Sequence, residues 1–133
     1  MILLVIFTMT GCGLSDWSYE LIGGYEIVHC NSVEIILTNR EHGEDGGSIV
    51  LPNYRVTDFC MNERFIGIQA IRHKGLEEHD QGIAIGGSAI YLVDAVNHEV
   101  YGPFPSQAKY DAKCLELSVG DLGAWRSTNE DPN

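Results

Sequence analysis

The chain has 133 residues and a formal net charge of −11, with 8 Lys and Arg against 19 Asp and Glu. This length fits one ordinary domain, and an apolar content of 44%, with six Tyr, four Phe and two Trp, excludes a disordered chain because so many core-forming residues can offset the conformational entropy of folding. The acidic balance and the lack of any basic cluster exclude a nucleic-acid-binding role, since phosphate contacts need Lys and Arg.

The first fifteen residues carry no charge, and the sequence MILLVIFTMTGC at residues 1–12 is an apolar run followed by small residues and Cys12. As a helix, an apolar run of about nine residues would reach only about 14 Å, against a hydrocarbon core of about 30 Å, so it is too short to span a membrane. Its length is typical of the apolar region of a secretory signal. Thr10, Gly11 and Cys12 resemble the last three positions of the cleavage box in bacterial lipoprotein signals.

The lipoprotein resemblance implies a signal peptide at residues 1–11 and a mature chain that begins at Cys12, with diacylglycerol attached through its thiol. Each buried acyl CH₂ contributes about 0.8 kcal/mol, so two or three acyl chains anchor a protein stably. Residues 12–16 would then be a lipidated tether on the extracytoplasmic face of the cell membrane. A cleaved secretory signal with a coincidental cysteine and an ordinary N-terminal β-strand are the alternatives.

From Trp17 onward, strand patterns dominate, and we assign residues 17–123 to one β-rich domain. Residues 25–30 and 33–38 are rich in β-branched and aromatic side chains, and the Asn31-Ser32 gap predicts a hairpin with a two-residue turn. Residues 48–56 predict a third strand that Pro52 interrupts or marks as an edge.

The runs at residues 65–71 and 83–93 predict a second antiparallel pair, and Gly86-Gly87 marks a bulge or a break within the latter run. Residues 95–98 then turn the chain into residues 99–101. The sequence GPFP at residues 102–105 is expected to stop that strand, because proline cannot donate to a ladder.

Ser106 is the expected N-cap of one helix at residues 107–117. The helix has two apolar faces, one formed by Ala108, Ala112 and Leu115 and the other by Tyr110, Cys114 and Leu117. Other parts of the protein are therefore expected to cover most sides of the helix, which should pack across the sheet. Residues 124–133 are expected to be a flexible tail, since no aliphatic residue follows Ala124 and Trp125. The predicted fold is mainly β (α+β), with an antiparallel sheet of about six to eight short strands and one C-terminal helix.

Two early sequence elements and one late element resemble a family of small bacterial lipoproteins of uncharacterised function. They are Tyr19-Glu20-Leu21, Gly24-Tyr25-Glu26, and Val100-Tyr101-Gly102-Pro103 before the C-terminal helix. Membership would imply an anchored, mainly β domain. It implies no catalytic or binding residue.

Carboxylates and imidazoles concentrate in one predicted loop, which offers weak candidates for a metal site: His73, Glu77, Glu78, His79 and Asp80. Such donors suit Ca²⁺ or another divalent ion. The spacing matches neither an EF-hand nor the helical His-Glu-x-x-His motif, so a solvated loop is favoured, as it is for residues 42–45. No Gly-x-Ser-x-Gly or dinucleotide-binding motif is present, and we therefore assign no catalytic residue and no cofactor.

If Cys12 is lipidated, the remaining cysteines are Cys30, Cys60 and Cys114. They are either three free, mostly buried thiols or one disulfide and one thiol, with Cys30–Cys60 as the first pair to consider. The aromatic residues of the predicted strands allow two interpretations: they either fill the core or form a surface that binds a ligand. These residues are Trp17, Tyr19, Tyr25, Tyr54, Tyr91 and Tyr101.

These observations predict a membrane-anchored extracytoplasmic lipoprotein that acts as a non-enzymatic binding or envelope-associated module. Its expected partners are the membrane, through the lipid on Cys12, and another envelope protein. The alternative is a lipid-anchored enzyme with a metal site in the acidic-His loops.

Overall fold

The computed structural model describes residues 17–30, 34–40, 48–73, 79–80 and 83–129. Within them lie eleven strands and one α-helix, and seven of the strands have four or more residues. The strands are β1 (Trp17–Glu20), β2 (Tyr25–His29), β3 (Ile35–Asn39), β4 (Ser48–Ile49), β5 (Tyr54–Met61), β6 (Phe65–Arg72), β7 (His79–Asp80), β8 (Ile83–Ala84), β9 (Ser88–Asp94), β10 (Glu99–Phe104) and β11 (Arg126–Ser127), and the helix is α1 (Gln107–Glu116). The predicted class, mainly β with one C-terminal helix, is confirmed.

The strands form two main antiparallel sheets rather than one. The first has the order β1-β2-β3-β4 and the second β10-β9-β6-β5-β11, while β7 and β8 pair separately. Alternate residues of β2 and β3 are buried, as expected for a sheet with one covered face. Their inward side chains, such as Ile27 and Leu37, pack with Val56 and Ile68 of the second sheet in one core.

The second sheet is covered on both faces, which explains why β6 and β9 are buried almost throughout. Its other face packs against α1 and the segment that follows, in a second core that includes Phe65, Leu92 and Tyr110. The molecule therefore has three layers, in the order sheet, sheet and helix.

The predicted pairing of the first hairpin is confirmed, but its turn is longer than expected. His29 pairs with Ile35, and the Cys30 amide donates to the Glu34 carbonyl at 2.9 Å. This register leaves three residues in the connection instead of two. Pro52 interrupts the next strand as predicted, because it lies between β4 and β5.

The second predicted pair is also confirmed, since β6 pairs with β9 from Phe65↔Asp94 to Ile71↔Ser88. Gly86-Gly87 lies at the break between β8 and β9. The expectation that the prolines stop β10 after residue 101 is wrong. Pro103 is buried within β10, where the register shifts between Tyr101 and Phe104. An edge strand accepts proline because its outer side needs no amide donor.

Helix α1 begins as predicted, with the Ser106 hydroxyl accepting a hydrogen bond from the Lys109 amide at 3.3 Å. Tyr110 is buried, and Cys114 packs beside it against the second core. The prediction that most sides of the helix are covered is wrong, because a helix that packs on one sheet face buries only the side that contacts the sheet. The other apolar face is exposed, and Leu115 keeps 82% of its surface accessible.

The predicted flexible tail is wrong for residues 126–128, which close the second sheet. Strand β11 pairs with β5, and the Arg126 guanidinium lies 4.9 Å from the Phe59 ring centre.

Thr128 is fully buried, and its hydroxyl lies within donating distance of the carbonyls of Val56 at 2.9 Å and Thr57 at 3.0 Å. Those carbonyls lie where the β5–β6 register shifts, so Thr128 satisfies groups that the ladder leaves open. The folded domain extends at least to Thr128, not to residue 123.

Replacing Thr128 with valine is expected to reduce the free energy of unfolding by about 1–3 kcal/mol, because the change keeps the volume but removes the hydroxyl that donates to the Val56 carbonyl, while the residue 128 amide still donates to the Thr57 carbonyl. Urea unfolding of the purified protein measures this difference. Asn129→Ala, at an exposed neighbouring position, is the control and should change stability by less than about 0.5 kcal/mol. Equal stability of the Thr128→Val variant and the wild type would show that the C-terminal segment does not close the sheet.

Candidate functional site

Most of the candidate metal ligands in the acidic-His loops have side chains outside the described part of the chain. Glu77 and Glu78 lie outside the described residues, and His79 and Asp80 are described only through the backbone of β7. His73 is half-buried at the end of β6, where its amide donates to the Asn53 carbonyl at 2.6 Å. Among the residues that the structure describes, no group of three His, Cys, Asp or Glu could hold a metal ion. The metal hypothesis, like the loop at residues 42–45, stays a prediction.

The strand aromatics fill the core rather than form a ligand-facing surface. Tyr19, Tyr25, Tyr54 and Tyr91 are all buried in the core between the two sheets. Tyr54 and Tyr91 meet edge to face with ring centres 5.3 Å apart. The hypothesis of an aromatic binding surface is therefore wrong for Tyr19, Tyr54 and Tyr91, whereas Tyr25, although buried, also lines a depression at one end of the first sheet.

The strongest candidate site is a depression at one end of the first sheet, with a volume of about 430 Å³. It is lined by residues from the β1–β2 connection and the end of β3: Glu20, Leu21, Gly24, Tyr25 and Arg40. Gly23, with φ of +68°, turns the chain there, and an added Cβ would lie 2.7 Å from the Ala95 carbonyl oxygen. This close approach holds the β1–β2 connection against the β9–β10 turn.

Charged groups on the rim of this depression are paired only loosely. The Arg40 guanidinium lies 3.7 Å from the Glu20 carboxylate and 3.8 Å from that of Glu26. The side chains of Arg40 and Glu20 are mostly exposed, so these pairs contribute little to stability. Both groups are available to a ligand, and the half-buried Glu26 carboxylate beside the depression adds a second negative charge next to Arg40.

A hydrogen-bonded cluster fixes the inner wall. The Tyr25 hydroxyl lies 3.2 Å from His98 Nδ1, and the Asn39 side-chain amide lies 3.5 Å from the same nitrogen. Burial raises the pKa of Tyr25, so its hydroxyl stays protonated at neutral pH. The wall is therefore a neutral, positioned phenol beneath a charged rim.

A buried carboxylate holds the β9–β10 turn in place behind this wall. Asp94 accepts hydrogen bonds from Arg64 Nη2 at 2.9 Å, from the Val96 amide at 3.0 Å and from the Asn97 amide at 3.1 Å. The hydrogen bond from Arg64 and those from the two amides lower the pKa of Asp94 to about 2, although burial opposes them. Asp94 shapes the turn that carries His98.

The cysteines occupy different environments from those that the sequence predicts. Cys60 and Cys114 are free thiols, whereas Cys30 is disulfide-bonded. The Cys30–Cys60 pair is therefore wrong, and so is the alternative of three free thiols. Cys12, the predicted lipidation site, lies outside the described residues.

The two free thiols meet at the hydroxyl of Tyr110 in the second core. A Cβ on Gly67 would lie 2.4 Å from that hydroxyl and 2.8 Å from the Cys60 sulfur. Cys114 follows Tyr110 by one helical turn, and both thiols interact with the Tyr110 hydroxyl. Among the described residues, this buried hydroxyl has no hydrogen-bond partner.

Sequence reasoning missed both groupings, because each joins residues that are far apart in the chain. Tyr25 and His98 are 73 positions apart. The available signal was local: Gly67 interrupts an otherwise bulky strand, and a glycine in a strand often marks close approach by another group. Asp94, at the end of a strand and before a turn, is a similar signal for a side chain that bonds turn amides.

Among the described residues, no helix has the length and apolar character needed to cross a membrane. Comparison of the chain with protein-family models, with curated proteins and with solved structures gave no match.

Proposed function

We propose that this protein is a membrane-anchored extracytoplasmic lipoprotein whose β domain is a non-enzymatic binding module. The observation that supports the anchor is the apolar, uncharged run that ends in Thr10-Gly11-Cys12. Cys12 lies five positions before Trp17, the first residue of β1. Two or three acyl chains on Cys12 would hold the protein at the membrane without a spanning helix.

The short spacing between Cys12 and Trp17 sets where the domain would lie. Five residue steps reach at most about 18 Å even when fully extended. A lipid on Cys12 would therefore hold β1 close to the membrane surface. The net charge of −11 would oppose adhesion to anionic headgroups, so that the lipid supplies the attachment.

The depression lined by Glu20, Tyr25 and Arg40 is the binding surface that we assign to the module. It combines a loosely paired charged rim with a fixed neutral wall, and binding sites often place a few oriented polar groups in a concavity of this size. The second carboxylate beside Arg40, that of Glu26, favours a partner that presents a cationic group.

The anchor predicts a specific labelling result. Cells grown with radiolabelled palmitate should incorporate label into the wild-type protein and none into Cys12→Ala, because the variant lacks the thiol that carries the lipid. Cys114→Ala is the matched control, and it should label as the wild type does. Equal labelling of wild type and Cys12→Ala would contradict the anchor.

The binding surface is tested with photo-crosslinking residues in native membranes. A crosslinker at Arg40, on the rim, should capture a partner, whereas one at Lys109, on the exposed side of α1, should not. Adding Glu20→Gln and Glu26→Gln to the Arg40 crosslinking variant should reduce capture by removing the carboxylates that favour a cationic partner. Equal capture from both positions would show that the depression is not the binding surface.

A further inference from the structure

We propose, on the basis of the binding surface assigned above, that the depression takes the guanidinium group of an arginine side chain of a partner protein. This group replaces Arg40 beside the two carboxylates of Glu20 and Glu26. Glu20 on β1 lies directly opposite Glu26 on β2. Both alternate with buried tyrosines, so their side chains project from the outer face of the first sheet. Like charges in this cross-strand position repel each other, and a cation between them relieves the repulsion.

Arg40 supplies such a cation but is held loosely. Its amide donates to the Gly24 carbonyl at 2.8 Å, which places the residue beside the depression. Its guanidinium nitrogens lie 3.7 Å from the Glu20 carboxylate and 3.8 Å from that of Glu26, whereas N–H···O hydrogen bonds are about 2.7–3.2 Å long. The Arg40 side chain is 59% exposed, so it can swing into solvent at little cost. Arg40 therefore marks a position for a guanidinium without forming the hydrogen bonds that such a group can make there.

The Glu26 carboxylate gains most from a ligand that fits better. Its side chain is only 15% exposed, so little water can solvate it. Within the described part of the chain, the contact with Arg40 is the only polar contact of this carboxylate. A largely buried acceptor that lacks a hydrogen bond is costly. A donor that reaches the Glu26 oxygens at hydrogen-bond distance therefore stabilises the complex.

The arrangement favours a guanidinium over an ammonium group. Two carboxylates from different strands flank one cation position, and a guanidinium presents N–H groups along more than one edge of a rigid plane, whereas an ammonium is a compact, strongly hydrated point charge. The volume of about 430 Å³ accommodates this planar group, and Leu21 on the lining offers an apolar contact for its methylene stem. Arginine is therefore the side chain that uses both the charges and the cavity.

The test titrates the purified, ¹⁵N-labelled full-length protein with blocked amino acids and follows the backbone amide resonances by NMR. The probes are the N-acetyl N-methylamides of arginine, lysine and citrulline, whose side chains end in a guanidinium, an ammonium and a neutral urea group. The arginine probe should shift the amides of Glu20, Leu21, Gly24 and Arg40 in a saturable way and bind at least about fivefold more tightly than the lysine probe. The citrulline probe should leave these amides unchanged. Equal affinity for arginine and lysine would overturn the proposal, as would saturable binding of citrulline or tighter binding of free arginine than of the blocked probe.

Two variants with a matched control test the roles of the charged residues. Arg40→Ala should tighten binding of the arginine probe by about two- to fivefold, because the probe no longer has to displace an ion pair. Glu26→Gln should weaken it by about fivefold or more, whereas Glu34→Gln, the same charge change at an exposed residue outside the depression, should alter it by less than about twofold. Weaker binding by Arg40→Ala would overturn the proposal, since Arg40 would then contact the ligand itself. Capture of a partner by the crosslinker at Arg40 without any binding of the arginine probe would exclude a guanidinium ligand but retain the binding surface, so the two proposals can fail separately.

Discussion

Replacing Gly67 with alanine is expected to reduce the free energy of unfolding by about 3 kcal/mol, the upper part of the usual range for an overfilled core. A Cβ at this position would lie 2.4 Å from the Tyr110 hydroxyl, 2.8 Å from the Cys60 sulfur and 3.1 Å from Trp125 Cη2. The first two distances are shorter than atoms in contact tolerate, so the packed side chains of Tyr110 and Cys60 must move. Urea unfolding of the reduced protein measures the loss.

A double-mutant cycle with Tyr110→Phe shows whether the contact with the hydroxyl causes the loss. Tyr110→Phe alone should be nearly neutral, because the hydroxyl has no hydrogen-bond partner among the described residues. In the Gly67→Ala background the same change should recover at least about 1 kcal/mol, since it removes the nearest atom. Additive effects of the two substitutions would contradict the packing that we describe.

Replacing Asp94 with asparagine is expected to reduce the free energy of unfolding at pH 7 by about 2 kcal/mol or more. The change replaces the charged carboxylate that accepts hydrogen bonds from Arg64 and from the Val96 and Asn97 amides with a neutral amide. The native pKa of about 2 lies below the ordinary value of 3.8, a difference that corresponds to about 2 kcal/mol of stability. The turn that carries His98 should also loosen.

The pH dependence follows from the direction of this shift. A carboxyl whose pKa is lowered by folding contributes its full stability above pH 4 and loses it as the pH falls toward 2. The difference in unfolding free energy between wild type and Asp94→Asn should therefore shrink between pH 4 and pH 2. Arg64→Gln is the control, and it should raise the pKa of Asp94 and move the loss to higher pH. A difference that stays constant over this range would exclude Asp94 as the titrating group.

Local patterns in the sequence were sufficient for most of the secondary structure. Ser106 predicted the start of α1 because a hydroxyl at that position satisfies a free amide, whatever the helix packs against. Runs of β-branched and aromatic residues on either side of Asn31-Ser32 predicted the pairing of β2 with β3, and Gly86-Gly87 marked the break before β9. Such signals act within a few residues, which is why they can be read without the fold.

The same reasoning was wrong where a contact from far along the chain decided the outcome. Pro103 was expected to end β10, but the strand continues because its edge position needs no donor. The segment around Thr128 was expected to be flexible because it lacks aliphatic residues. It is ordered instead by carbonyls on β5, about seventy positions earlier.

The amino-acid sequence by itself determined that this protein is a mainly β domain with one C-terminal helix, and its uncharged start is the sole basis for the lipid anchor that we propose. Those features depend on composition and on short-range periodicity. Only the tertiary structure decided that two sheets share one core, that the Tyr25 hydroxyl meets His98, and that the Cys60 sulfur and the Tyr110 hydroxyl meet at Gly67. The physical reason is that these groupings depend on how distant strands and a helix pack, and chain spacing does not encode that.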